Sequence, residues 1–172
     1  MNAAVALKEN TAVAGEADGS VLKAHYLETL TFVERLHRCL LDVIKDELDR
    51  IGCDEINSVQ ALLLFNIGDA ELTAGELRTR GHYLGSNVSY NLKKLVDTKY
   101  IHHKRSEADR RSVRVSLTGK GQEIKELVDE LYERHLLSLT PVGEVGADDL
   151  ETVNTALRRL ERFWTDQIRY RL

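Results

Sequence analysis

The sequence predicts a mainly α-helical fold that carries one small β-hairpin, and three observations point there. Long stretches rich in Leu, Glu, Lys, Arg and Ala place apolar residues every three or four positions, the repeat of one helix face. A single proline, Pro141, and 6% aromatic residues argue against a turn-punctuated all-β chain. Only between Tyr100 and Leu117 does the pattern change to β-branched and aromatic residues in partial alternation. With 172 residues, 42% hydrophobic and 30% charged, the chain is expected to fold as one soluble globular unit. No stretch is apolar enough to span a membrane, and the first twenty residues lack a signal-peptide core, so a cytoplasmic protein is expected.

Residues 1–19 are Ala-, Glu- and Gly-rich without periodicity and read as a disordered tail. From Val21, the residues Leu22, Tyr26, Leu30, Val33, Leu36, Leu40, Ile44, Leu48 and Ile51 form one stripe on a helix of about thirty residues ending near Gly52. Leu27, Phe32 and Leu41 lie off that stripe, so the helix is expected to have a second partner. Asn57 and Gln60 have the spacing of a capping box for a short helix bearing Val59, Leu62, Leu63 and Ile67. Thr73 and Glu76 repeat that spacing and open a segment of about two turns that stops near Gly81. After a turn at 82–85, Ser86 can cap a helix whose buried side is Val88, Leu92, Leu95 and Val96, giving a helix-turn-helix candidate.

Tyr100–Arg105 and Ser112–Leu117 read as two strands joined by the polar turn Ser106–Arg111, a hairpin with a basic tip. Thr118 looks like the cap of a long helix carrying Ile124, Leu127, Leu131, Leu136 and Leu139, terminated by Pro141 and Gly143. Asp148, Asp149 and Glu151 sit at the start of a last helix bearing Leu150, Val153, Leu157, Leu160, Phe163 or Trp164, and Ile168.

The net charge of −4 conceals a strong asymmetry. Residues 78–120 hold eleven Lys/Arg against three acids, a local excess of +8, while the rest of the chain carries −12. Such an excess in about a quarter of the chain is what phosphate neutralisation by one face requires, although a solvated basic surface would look the same. On the helix after Ser86, the residues Asn87, Tyr90, Asn91 and Lys94 lie at i, i+3, i+4 and i+7, opposite the apolar side. Asparagine is a mediocre helix former, so helix stability alone does not favour two of them beside Ser86 and Ser89. In a major groove, Asn can pair bidentately with adenine, Ser and Tyr can reach base edges or phosphate, and Lys93 and Lys94 suit phosphate. At the hairpin tip, Asp109 can hold a neighbouring guanidinium extended, so that Arg110 or Arg111 enters a narrow minor groove while the other meets phosphate, with Arg105 nearby.

These residues resemble the MarR family of winged helix-turn-helix transcriptional regulators. The resemblance covers nearly the whole ordered chain. It is carried by Asp109-Arg110-Arg111 running into Leu117-Thr118 and Gly121, and by the helix-turn-helix spacing from Glu76-Leu77 to Val88. Gly81, where an apolar residue is usual, and Gly85 make the segment similar to an alphaproteobacterial subgroup typified by LdtR.

The resemblance implies a homodimer whose terminal helices interleave, with two recognition helices placed on a palindromic double-stranded DNA operator. The implied organisation is a dimerisation helix at 20–55, a winged helix-turn-helix region at 56–120 and C-terminal dimerisation helices at 121–172. It also implies release or modulation by a small aromatic or phenolic ligand, for which His37, Leu41, Ile44, Leu62 and Phe65 are candidates; the same residues could equally be core. The subgroup resemblance points to cell-envelope or stress genes as targets.

Other chemistries find less support. No nucleophile elbow, phosphate loop, dinucleotide fingerprint or HExxH pattern is present, so neither an enzyme nor a cofactor is expected. His102 and His103 are neighbours on a strand and would point to opposite faces, so a metal site is not expected. Two alternatives of the same fold remain. One is a cysteine-based redox sensor using Cys39, expected to be buried, or Cys53. The other is a winged-helix module that binds protein, which would not need the Asp109 tip or the Asn-rich helix face.

Overall fold

The computed structural model describes residues 3–73, 76–77, 85–105 and 113–170, with side chains described at 19–73, 76–77, 89–104 and 114–170. Helices α1 (Ala3–Arg50) and α2 (Ser58–Ile67) precede strand β1 (Leu72–Thr73). Helix α3 (Gly85–Asp97), strands β2 (Ile101–Arg105) and β3 (Val113–Leu117), and helices α4 (Gly119–Gly143) and α5 (Ala147–Tyr170) follow. The fold is therefore mainly helical with a small antiparallel sheet, as the periodicity predicts.

Helix α1 begins at Ala3, inside the segment expected to be a tail. Six alanines between Ala3 and Ala17 account for the difference, because alanine favours the helix without needing a tertiary partner. The helix ends at Arg50, and Gly52 adopts a left-handed φ of 69° in the turn that follows. Asn57 caps α2 as its spacing predicts: its side chain accepts the Gln60 amide at 3.0 Å while the Gln60 side chain accepts the Asn57 amide at 3.1 Å. Thr73 and Glu76 make the same reciprocal pair, at 3.1 and 2.7 Å, and Glu76 and Leu77 are helical.

The sheet has the order β1-β3-β2, all antiparallel, with Leu72 opposite Val115 and Ile101 opposite Leu117. Strand β1, only two residues long, was not anticipated. Residues 106–112, which include the expected hairpin tip, lie outside the described residues. Thr118 caps α4 by accepting the Gly121 amide at 3.1 Å, and its hydroxyl donates to the Lys99 carbonyl at 2.8 Å. Pro141 does not terminate α4; it lies in the last turn, and the helix runs to Gly143. The stop is set instead by Glu144, left-handed at φ 55°, whose amide bonds to the carbonyls of Leu139 and Thr140. Pro141 forgoes the bond that an N–H there would make to the Leu137 carbonyl, and the helix stops two residues later.

One core joins the end of α1, α2, α3, the sheet and the first half of α4, built from Ile44, Leu48, Leu63, Leu64, Ile67, Leu77, Leu95, Tyr100, Val115, Ile124 and Val128. Outside it, α5 buries no residue, and Leu22, Leu27, Phe32, Val33 and Leu36 of α1 stay exposed. Cys39, expected to be buried, is exposed for the same reason: among the described residues none covers α1 at its level. Cys53 is half-buried at the α1–α2 corner.

Candidate nucleic-acid interface

Helix α3 buries Leu92 and Leu95 and presents Ser89, Tyr90, Lys93 and Asp97 to solvent. Tyr90 is 69% exposed, which for a large aromatic ring on a helix is a site waiting for a partner or a plain solvated residue. Tyr90, Lys93, Lys94 and Asp97 line one open hollow of about 310 Å³. The helix ends in a tight left-handed turn at Lys99, φ 63°, where the Tyr100 amide reaches back to the Leu95 carbonyl at 2.8 Å. That turn sends the chain directly into β2, so the wing starts where α3 ends.

The predicted stripe of Asn87, Tyr90, Asn91 and Lys94 does not stay together. Asn91 turns inward: its Oδ1 accepts the Nε2 of the fully buried Gln60 at 3.1 Å. Lys94 is half-buried, so the solvent-facing row is Ser89, Tyr90 and Lys93. Ser86 and Asn87 lie on the first turn of α3, in the described backbone but not among the described side chains. Arg105 closes β2, and its side chain is likewise outside the description, as are Gly81, Asp109, Arg110 and Arg111 altogether.

On the wing, His102, His103 and Lys104 are exposed, and the register sets Lys104 directly opposite Arg114. Two cations facing one another across an antiparallel pair repel unless an anion lies over them. Arg114 has a partial neutraliser in Glu71 at 3.9 Å, with both side chains about half exposed. Sequence reasoning missed this pair, because only the register brings the two positions together. It also counted Lys120 in the basic excess, yet Lys120 is engaged internally: its ammonium bonds to Glu55 and lies 4.3 Å from the centroid of the Tyr100 ring. The Glu55 carboxylate also accepts the Tyr100 hydroxyl at 3.0 Å, and the hydrogen bond from Lys120 holds its pKa below the usual range. Burial, with Glu55 and Cys53 beside it, pushes the Tyr100 phenol upward.

The candidate ligand residues differ in exposure. Ile44 is enclosed in the core, Leu41, Leu62 and Phe65 are half-buried, and His37 is exposed. Phe65 packs edge-on to Tyr132 with centroids 5.1 Å apart. Two apolar grooves lie elsewhere, between α1 and α5. One of about 470 Å³ is lined by Val33, Leu157, Leu160, Trp164 and Ile168 among others; a second of about 460 Å³ is lined by Leu22, Tyr26, Leu160 and Phe163 among others. Between them the Trp164 indole donates to the Tyr26 hydroxyl at 3.1 Å. Among the described residues no group of His, Cys, Asp and Glu could hold a metal ion, and no helix is long and apolar enough to cross a membrane.

Residues 55–112 match the MarR family. The chain is 38% identical over 158 residues to the exopolysaccharide II synthesis transcriptional activator ExpG of Rhizobium meliloti (strain 1021), covering 90% of this chain and 79% of that protein. Among solved structures, it is similar to Streptococcus pneumoniae FabT in complex with DNA, with a TM-score of 0.64 and 21% identity over 82% of this chain and 98% of that one. It is also similar to a mutant of E. coli MarR complexed with operator DNA, with a TM-score of 0.62 and 21% identity over 76% of this chain and 91% of that one.

Proposed function

This chain belongs to the MarR family, and from that premise we propose that it is a cytoplasmic transcriptional regulator that binds double-stranded DNA as a homodimer on a palindromic operator. The observation that carries the reading is the pair of wing cations, Lys104 set opposite Arg114, on the strands that directly follow a helix, α3, with Ser89, Tyr90 and Lys93 exposed. A polyanion laid across that pair would relieve the repulsion between the two wing cations and release counterions from its own phosphates.

In this reading α3 lies in the major groove, with Ser86, Asn87, Ser89 and Tyr90 toward bases or sugar-phosphate, and Lys93 and Lys94 on phosphate. Arg105, Arg110 and Arg111 of the wing follow the backbone and the adjacent minor groove, with Asp109 orienting one guanidinium. The two grooves and the exposed apolar face of α1 and α5 are the dimer surface: an apolar area of this extent is rarely left to water in a soluble protein. A two-fold dimer would set two α3 helices about one DNA turn, roughly 34–36 Å, apart. A small aromatic or phenolic ligand seated near His37, Leu41, Leu62 and Phe65 would modulate binding by changing that spacing.

The test is selection of bound DNA from a pool of genomic fragments at two salt concentrations, followed by sequencing. A retained set sharing a two-fold-symmetric motif, with affinity that falls steeply as salt rises, is the expected result. Absence of retention at low salt counts against the reading.

A further inference from the structure

We infer that Gln60, which cannot itself reach DNA, is a positioning residue that sets the rotation of the recognition helix α3; the inference rests on the DNA-binding reading above. Gln60 is fully buried in the first turn of α2. Its side-chain oxygen accepts the backbone N–H of Asn57 at 3.1 Å. A backbone N–H can only donate, so that contact decides which end of the Gln60 amide is the oxygen. The NH2 end must then face α3, where it donates to Asn91 Oδ1 at 3.1 Å. The amide is thus fixed by main chain at one end and holds a side chain of the recognition helix at the other.

Asn91 is the residue immediately after Tyr90 and two before Lys93. Successive positions on a helix are about 100° apart, so holding Asn91 against α2 fixes where Tyr90 and Lys93 point. Leu92 and Leu95 also anchor α3, but apolar packing has no preferred direction. A hydrogen bond does, and taking Asn91 out of this one leaves the buried Gln60 NH2 without that acceptor. With side chains at a radius of about 5–6 Å, a helix rotation of about 20° moves their tips by about 2 Å, beyond what a base contact tolerates. Loss of the link should therefore reduce discrimination between sequences more than phosphate attraction.

The experiment uses the full-length protein and two probes: the duplex that the wild type enriches from a random-sequence pool, and a scrambled duplex of equal length. Gln60→Met keeps the shape and removes both hydrogen bonds. It is expected to lower the ratio of enriched to scrambled affinity about tenfold. Asn91→Ala should lower it by a similar factor, and the double variant should be no worse than either. Asn57→Ala removes the α2 cap but keeps the backbone N–H that orients Gln60, so it should lower the melting temperature while leaving the ratio within about twofold.

If Gln60→Met fails to fold, Gln60→Glu combined with Asn91→Asp keeps the acceptor for Asn57 and sets a carboxylate against a carboxylate, so that no N–H is left to link them, and the same loss of ratio is expected. A wild-type ratio in these Gln60 variants overturns the inference, as does an equal loss in Asn57→Ala. A loss confined to Asn91→Ala also overturns it and assigns Asn91 to direct reading. A wild type that enriches no sequence overturns the DNA reading itself, and this inference with it.

Discussion

The carboxylate of Glu47, near the end of α1, accepts Arg134 of α4 at 2.5 Å while Arg50 of its own helix grips it with two bonds of 2.7 and 3.0 Å. The Glu47 side chain is 8% exposed, whereas the two arginines remain about half exposed. The Glu47–Arg134 pair ties the helix that carries the open apolar face to a helix of the winged core. The hydrogen bond from Arg50, together with Arg134 and opposed by burial, lowers the pKa of Glu47 to about 2.

A pH dependence follows. The folded value lies below the ordinary 4.5, so the stabilisation is complete above about pH 4.5 and is lost as pH falls toward 2. At pH 7, Glu47→Gln should unfold at a lower temperature than the wild type, by an amount equivalent to roughly 1–3 kcal/mol for charge-assisted bonds. Thermal unfolding of both proteins from pH 7 to pH 2.5 should show the gap closing in the acid range. A gap independent of pH would mean that the carboxylate charge plays no part.

Gly121 packs against the Tyr100 backbone so closely that a Cβ placed there would overlap the Tyr100 carbonyl oxygen and lie 3.2 Å from its carbon. That carbonyl also accepts the Thr118 amide at 3.1 Å, so it cannot swing aside without breaking the joint between wing and α4. Gly121→Ala should destabilise by roughly 1–3 kcal/mol, the range of overpacked cores, measured by urea unfolding. Gly119, three bonds from the same cap but with open space around it, is the control, and alanine there should change little.

These contacts separate what was legible in the sequence from what was not. Asn57 with Gln60, and Thr118 with Gly121, are partners three residues apart, and short-range capping geometry is written in the spacing itself. Apart from β1, the order of the described helices and strands followed from periodicity. Asn91 and Lys120 were misplaced because their partners, Gln60 and Glu55, lie 31 and 65 residues away, where helical spacing says nothing. The repulsive pair Lys104 and Arg114 needed the strand register. Ile44 and Cys39 share one helix and a similar apolar setting, yet one is core and the other exposed, because α2 and α4 cover only the last turns of α1.

The apolar grooves between α1 and α5 make the dimer testable. Phe163, half exposed, lines one of them with Leu22 and Tyr26 and takes no part in the winged core. Phe163→Glu should therefore leave that core folded while placing a carboxylate in the proposed interface, where an unpaired charge is expensive. Sedimentation equilibrium should show the dimer dissociation constant raised about 100-fold or more. An unchanged constant would remove this face from the interface.

The polar edge of α3 and the wing tip can be told apart by the salt and sequence dependence of binding. Lys93 is exposed beside Tyr90, and in the proposed reading it meets phosphate only. Lys93→Ala should weaken selected and random duplexes alike and reduce the salt slope by about one. Asn87, on the first turn of α3, is expected to read a base. Asn87→Ala should cost roughly 1–3 kcal/mol on the selected duplex and much less on random DNA. Arg111→Ala should weaken binding with dimer and melting temperature nearly unchanged, since in the proposed reading its guanidinium serves DNA alone. Fluorescence anisotropy at several salt concentrations reads all three. Equal losses on both duplexes for Asn87→Ala would reassign that residue to phosphate, and wild-type affinity for Arg111→Ala would take the wing tip out of the interface.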